Sequence, residues 1–479
     1  MLMKKALLIG LALGLVVAGA VPALAVDLTA SGFIGVAGTL FRNANAGPGM
    51  AFYVAPGYYP GTIPVLNVPF PSPASAFTPN DEMGSTLTGR AELQFMVQAS
   101  EDLYGVFKFR MASEGANRWG TAGNWGQEGG SSISVAVQHL YMDFRVPPKL
   151  PLWFRIGLQN IFIRGWTFMC EDVPAVSARV MIDPIKLSVT GYFAKLIDAS
   201  ATEATTGAEF YAVDAKIPLS FGSVNIAPGM FFAYQNERWA LNVPDPDAQK
   251  LWWLGVNVDG GIGPVNMQVD FIYNGGTLEN TTIPDQDYGS WLVCGQVSFV
   301  WQKLQVGVGG RYTKGENVEN NDIESFQLPG SGGYNSESMA VSGDFVVFDN
   351  GWMMPGPGWP ANIGLIDGPN NFWFGYWDIR GFVYYNIFDW LKVGAQVGYI
   401  GDTVSGVAGG VGGDAIGTDA DDDDSIGWEM DFGVNVQIYQ NLALHTAFGY
   451  LFANKALSQA GGVKPQDPWG WQSRIMYMF

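Results

Sequence analysis

From residue 26 onward the chain alternates apolar and polar side chains with a period of two. The stretch 86–100 shows it most clearly. Leu87, Gly89, Ala91, Leu93, Phe95, Val97 and Ala99 fall on one face, and Thr88, Arg90, Glu92, Gln94 and Gln98 on the other. Strands send successive side chains to opposite faces, so this period predicts β-structure. After a tight turn at Ser100-Glu101-Asp102 the pattern resumes, with Phe107, Phe109 and Met111 opposing Lys108, Arg110 and Glu114. It recurs over 154–159, 265–274, 304–312, 391–399 and 428–438. The facing is ambiguous over 133–146 and 208–217. The last eleven residues repeat the theme: Trp469, Trp471, Ile475, Tyr477 and Phe479 share a face, and Gln472 and Arg474 oppose them.

The connections alternate in length. Short ones lie near residues 101, 147–148, 183–184, 218–223, 260–264, 301–303, 386–390 and 439–441. Long ones lie between them: 43–83, 115–132, 160–173, 197–207, 235–250, 275–289, 315–371, 402–425 and 453–467. Short turns on one rim and long loops on the other are the asymmetry of membrane barrels. The pattern therefore predicts an all-β chain folded as a transmembrane, antiparallel, up-and-down β-barrel of about 18 strands, with 16 as the alternative. An even count puts both termini on the short-turn, periplasmic side.

Composition sharpens this. Aromatic residues make up 14% of the 479, charged residues 14%, and there are 63 glycines. A soluble domain carries about 25% charge. Low charge with many Trp and Tyr near strand ends fits an apolar exterior ringed by interfacial aromatics. A secreted β-sandwich array would not place its aromatics there. No run of about 18 apolar residues follows residue 25, which excludes helical spans. At the N-terminus, Lys4 and Lys5, the apolar run 6–20 and Ala23-Leu24-Ala25 match a secretory signal peptide. Residues 1–25 are expected to be cleaved, leaving 26–479 as one barrel domain. The formal charge of −19 argues against a nucleic-acid partner.

These features together resemble Gram-negative outer-membrane porins. A local stretch adds to the likeness: His139-Leu140-Tyr141-Met142-Asp143-Phe144, then 152–159, resembles the porin pattern AYVDF…RVGRQ before the third outer loop. Gln159 fits; Leu158 stands where a basic residue is common, which leaves the subfamily and solute open. The resemblance implies a diffusion channel for small hydrophilic solutes and ions, assembled as a homotrimer. It also implies contact with outer-membrane lipid and lipopolysaccharide. Residues 160–173 would be a constriction loop folded into the lumen.

A pore needs geometry and a field, not bond chemistry. Basic residues expected to line it are Arg90, Lys108, Arg110, Arg155 and Arg179; Glu171 and Asp172 on the constriction loop would face them. A transverse field would orient polar solutes. The competing reading pairs each cation with a local acid such as Glu92 or Glu114. Cys170 and Cys294 allow one disulfide pinning that loop to the wall, and two free thiols are the alternative. Asp419, Asp421, Asp422, Asp423 and Asp424 form an acidic run that would hold Ca²⁺ only loosely, lacking EF-hand spacing; a solvated loop repelling anions is the simpler reading. Trp352 and Trp359 suggest a lid for a solute-selective channel. A non-conducting scaffold barrel is a further alternative. His139 and His445 have no partners at catalytic or metal-binding spacing, so neither an enzyme nor a firm cofactor is expected.

Overall fold

In a computed structural model, the described residues are 26–42, 83–113, 133–146, 150–164, 167–197, 207–239, 247–279, 284–315, 322–324, 326–329, 345–347, 375–403, 425–454 and 467–479. The leader, Glu114, Trp352, Trp359 and the acidic run 419–424 lie outside them. The strands, in chain order, are β1 Asp27–Arg42, β2 Met83–Ser100, β3 Leu103–Ser113, β4 Ile133–Arg145, β5 Leu152–Ile163, β6 Met169–Ile182, β7 Leu187–Ile197, β8 Gly207–Lys216, β9 Leu219–Phe221 and β10 Val224–Trp239. Then follow β11 Asp247–Ile262, β12 Val265–Glu279, β13 Gln286–Trp301, β14 Leu304–Thr313, β15 Tyr376–Phe388, β16 Leu391–Asp402, β17 Ser425–Tyr439, β18 Leu442–Ala453 and β19 Trp469–Met478.

Each strand pairs antiparallel with its chain neighbours, and β1 closes the ring on β19. β8 and β9 are two pieces of one strand, since both pair with β10. The break falls at Pro218, which has no N–H to give the ladder; Ile217 N–H instead donates to Pro228 O at 3.0 Å. The barrel therefore has eighteen strands, not sixteen. Phe479 exchanges backbone hydrogen bonds with Gly32 (2.8 and 3.0 Å), so β1 meets the last residue after β19 on the short-turn rim. Tight turns on that rim use left-handed residues, Gly222 at φ 60° and Gly263 at φ 58° among them.

The alternation resolves into an apolar exterior and a polar interior. Phe432, Met430 and Trp428 are exposed outside β17, while Glu429 and Asp431 between them are fully buried inside. On β19, Trp471, Ile475 and Tyr477 point out and Gln472 and Arg474 point in. So much apolar surface on the outside suits a hydrocarbon solvent, not water.

Two strands explain their own ambiguity. In β4 the register shifts against Lys108 and Phe109, leaving Gln138 as a bulge. Val135 and Val137 are exposed before the bulge, and Leu140 and Met142 after it, so the outward parity changes midway. Along β8, Tyr211 and Val213 face out, but the inward Ala208, Phe210 and Ala212 are apolar too.

Candidate functional site: a hairpin across the lumen

The β5–β6 hairpin leaves the wall. Pairing of β5 with β4 stops at Leu158, and pairing of β6 with β7 stops at Ala175. β5 and β6 continue together to the rung Ile163–Met169. The departure point carries two local causes. Gly157 has φ 133°, and a Cβ there would sit 2.2 Å from Leu140 O. Pro174 lacks the N–H that the next rung to β7 would use. Gln159 secures the base: its side-chain amide donates to Ala175 O at 2.8 Å and accepts from Ser177 Oγ at 3.1 Å.

Beyond that point the hairpin touches two walls. One face carries Ile161, Ile163 and Val173 and, with Phe168 at the turn, packs on an apolar patch spanning β7 to β13. The Phe168 ring lies 4.4 Å from Phe231 and 5.6 Å from Trp253. This patch is why the inner positions of β8 are apolar. The other face carries Asn160 and Asp172. Asp172 accepts hydrogen bonds from Gln138 (2.6 Å), His139 (2.9 Å) and Asn160 (3.0 Å), and pairs with Arg110 at 3.6 Å. The β4 bulge makes this possible by turning two consecutive side chains inward.

At the tip, Arg164 adopts φ 53°, a left-handed conformation that costs a non-glycine residue about 1–2 kcal/mol. Its guanidinium grips Asp259 on β11 (2.8 and 3.0 Å) and Asp270 on β12 (2.9 Å, with a second contact from Nε). Lys216 on β8 also binds Asp259, at 2.7 Å. The hairpin thus runs as a chord from the β3–β4 wall to the β11–β12 wall.

Several expectations change here. Residues 160–173 are the end of a β-hairpin, not a loop, because the strands keep pairing with each other after leaving their neighbours. Cys170 and Cys294 form no disulfide. Cys170 shares the Asp172 face of the hairpin, toward β3–β4, whereas Cys294 on β13 packs beside the apolar patch that the opposite face meets. The cations do not all confront the hairpin acids. Arg90, Lys108 and Arg110 gather on Glu92, with Lys108 at 2.5 Å and Arg110 at 3.3 Å. Arg155 binds Asp143 at 2.8 Å, and Arg179 lies over Trp153 at 5.8 Å. Arg110 alone of the five is also paired with Asp172, and Glu171 occupies the opposite hairpin face.

The long connection after β14 also enters the lumen, at two places. Phe326 is buried in the apolar patch, and Gln327 O accepts the Trp253 indole N–H at 2.8 Å. Farther on, Phe345, Val346 and Val347 lie buried against β16 to β18. Arg164, Asp259 and this inward strap escaped the sequence reading. Gly157 and Pro174, both unusual inside strands, were the available signals.

No protein-family model and no curated protein matches this sequence. Solved structures do. OccK8 (OprE) of Pseudomonas aeruginosa superposes with a TM-score of 0.51 at 9% identity, over 95% of this chain and 98% of its own. OpdQ of the same organism gives 0.50 at 9% identity, over 95% and 98%. OccK3 (OpdO) gives 0.50 at 9%, over 94% and 95%. The chain shares with these proteins the fold of a closed, eighteen-stranded porin-type barrel.

Proposed function

We propose that the protein is a solute-selective channel of a Gram-negative outer membrane, passing small hydrophilic solutes through its lumen. The apolar exterior supports a membrane-spanning barrel, and the shared fold supports a channel. The observation that carries selectivity is the chord itself. A hairpin pinned to two walls leaves solutes to pass beside it, in contact with charged side chains. The arc β2–β6 bears Arg90, Lys108, Arg110, Arg155 and Arg179 among its acids. The arc β8–β12 bears Asp214, Glu237, Asp259 and Asp270 against Lys216 and the hairpin-tip Arg164. Such a division gives a transverse field for dipolar solutes. The cleaved leader, outer-membrane lipid and lipopolysaccharide contacts, a homotrimer and loose Ca²⁺ at the acidic run belong to the same reading.

Planar-bilayer recording tests it. The wild type should give stepwise conductance that one solute class blocks. Arg164→Ala frees the hairpin tip, so unit conductance should rise and blocking should weaken. A wild-type barrel without conductance would instead support a scaffold role.

A further inference from the structure

Arg164 fills a site that belongs to the barrel wall. Asp259 on β11 stands opposite Gln268, and Asp270 on β12 stands opposite Asn257, so the two carboxylates are diagonal neighbours on adjacent strands. The guanidinium lies between them with two edges engaged. Nη1 and Nη2 donate to the two oxygens of Asp259 at 2.8 and 3.0 Å. Nη2 and Nε donate to the two oxygens of Asp270, Nη2 at 2.9 Å. Two forks on one planar cation are a guanidinium fit; an ammonium, with its donors on a single atom, cannot make both.

Asn257 adds a group that the hairpin leaves unused. It faces inward, two residues from Asp259 and opposite Asp270. It is 5% exposed, and neither its Oδ1 nor its Nδ2 hydrogen-bonds to any of the described residues. Leaving a buried amide without partners costs about 1–3 kcal/mol, and an apolar side chain would avoid that cost. The wall therefore carries a donor and an acceptor beside the two carboxylates that Arg164 does not satisfy. The approach is from the lumen: Asp270 and Arg164 are buried, but Asp259 is 30% exposed. Arg164 also sits at φ 53°, so letting go releases backbone strain.

We infer that Asp259, Asp270 and Asn257 form a binding site for solutes bearing a guanidinium group, and that Arg164 fills it until such a solute takes its place. A tethered competitor keeps the site weak. A solute that displaces Arg164 is evicted when the side chain returns, which suits a permeation site: binding firm enough to admit and weak enough to release. The consequence for transport rests on the channel reading; the binding does not.

Isothermal titration of the refolded barrel in detergent micelles tests this, with ethylguanidinium as the probe and ethylammonium as a cation of equal charge. Arg164→Ala removes the competitor, so ethylguanidinium should bind it about tenfold or more tighter than it binds the wild type. Ethylammonium should bind the variant about tenfold or more weaker than ethylguanidinium, having lost at least one charged hydrogen bond. Arg164→Lys keeps charge and tether but cannot fork; its affinity should fall between the two proteins, and it serves if the alanine variant fails to fold. Adding Asn257→Leu to Arg164→Ala should weaken binding while leaving the urea midpoint unlowered, which a merely structural amide would not do. In single-channel recording, each bound ethylguanidinium should remove a smaller share of the current in Arg164→Ala than in the wild type, because the path beside the freed hairpin is wider. Equal affinity of wild type and variant, no preference for ethylguanidinium, or binding unmoved by Asn257→Leu overturns the inference. Binding as expected in a barrel that passes no current upholds the site and refutes the channel reading.

Discussion

Glu92 shows how one side chain sets the character of a wall. It is 5% exposed and takes Arg90, Lys108 and Arg110 on one carboxylate. Arg90 is 4% exposed, and that carboxylate balances part of its buried charge. Removing one member of a buried pair costs about 3–5 kcal/mol. Glu92→Gln should lower the urea midpoint accordingly. It should also leave three cations on the lumen side, so the reversal potential in a salt gradient should move toward anion preference. An unchanged reversal potential would place this cluster away from the conducting path. Here the simpler of two sequence readings, local pairing, describes three of the five basic residues completely or in part, and Arg155 follows it with Asp143.

The hairpin is the element that turns a tube into a filter, and Phe168 is its apolar anchor. Phe168→Ala removes a fully buried ring from contact with Phe231 and Trp253, at a cost of about 3–5 kcal/mol. The wall ladders do not involve this residue, so the loss should fall on the hairpin. The barrel's heat-resistant gel mobility should persist while the 159–174 segment becomes susceptible to protease. Loss of both together would mean that hairpin and wall fold as one unit. This element also marks the limit of what the sequence discloses. Strands that meet lipid outside and water inside declare themselves by alternation, as β2, β12 and β17 do. The described residues of 160–173 meet protein on both faces, so their pattern reads as irregular and predicts a loop. β8 was blurred because Phe168 makes its inner face apolar, and β4 because one extra residue, Gln138, reverses the parity. Arg164 could not be found from spacing: its partners Asp259 and Asp270 lie about a hundred residues away, and only closure of the barrel brings them near.

At the scale of the whole molecule, transport requires that the exterior lie in hydrocarbon and the interior in water. Gln296 and Val297 on β13 test this within one peptide unit. Val297 is 44% exposed and faces outward opposite Val308; Gln296 faces inward opposite Gly309. Val297 lies four residues and Gln296 five from the strand end at Trp301, about 13–17 Å along the strand and thus near the middle of an apolar band about 25 Å tall. In lipid, Val297→Arg should cost about 2–4 kcal/mol, read from urea unfolding in phospholipid vesicles. Gln296→Arg adds the same group to a hydrated wall and should change stability by less than about 1 kcal/mol. The two substitutions carry equal charge and bulk at depths one residue apart, so their difference measures the solvent on each side. Equal costs would show that the outward face does not meet lipid, and the barrel could then no longer carry solutes across a membrane.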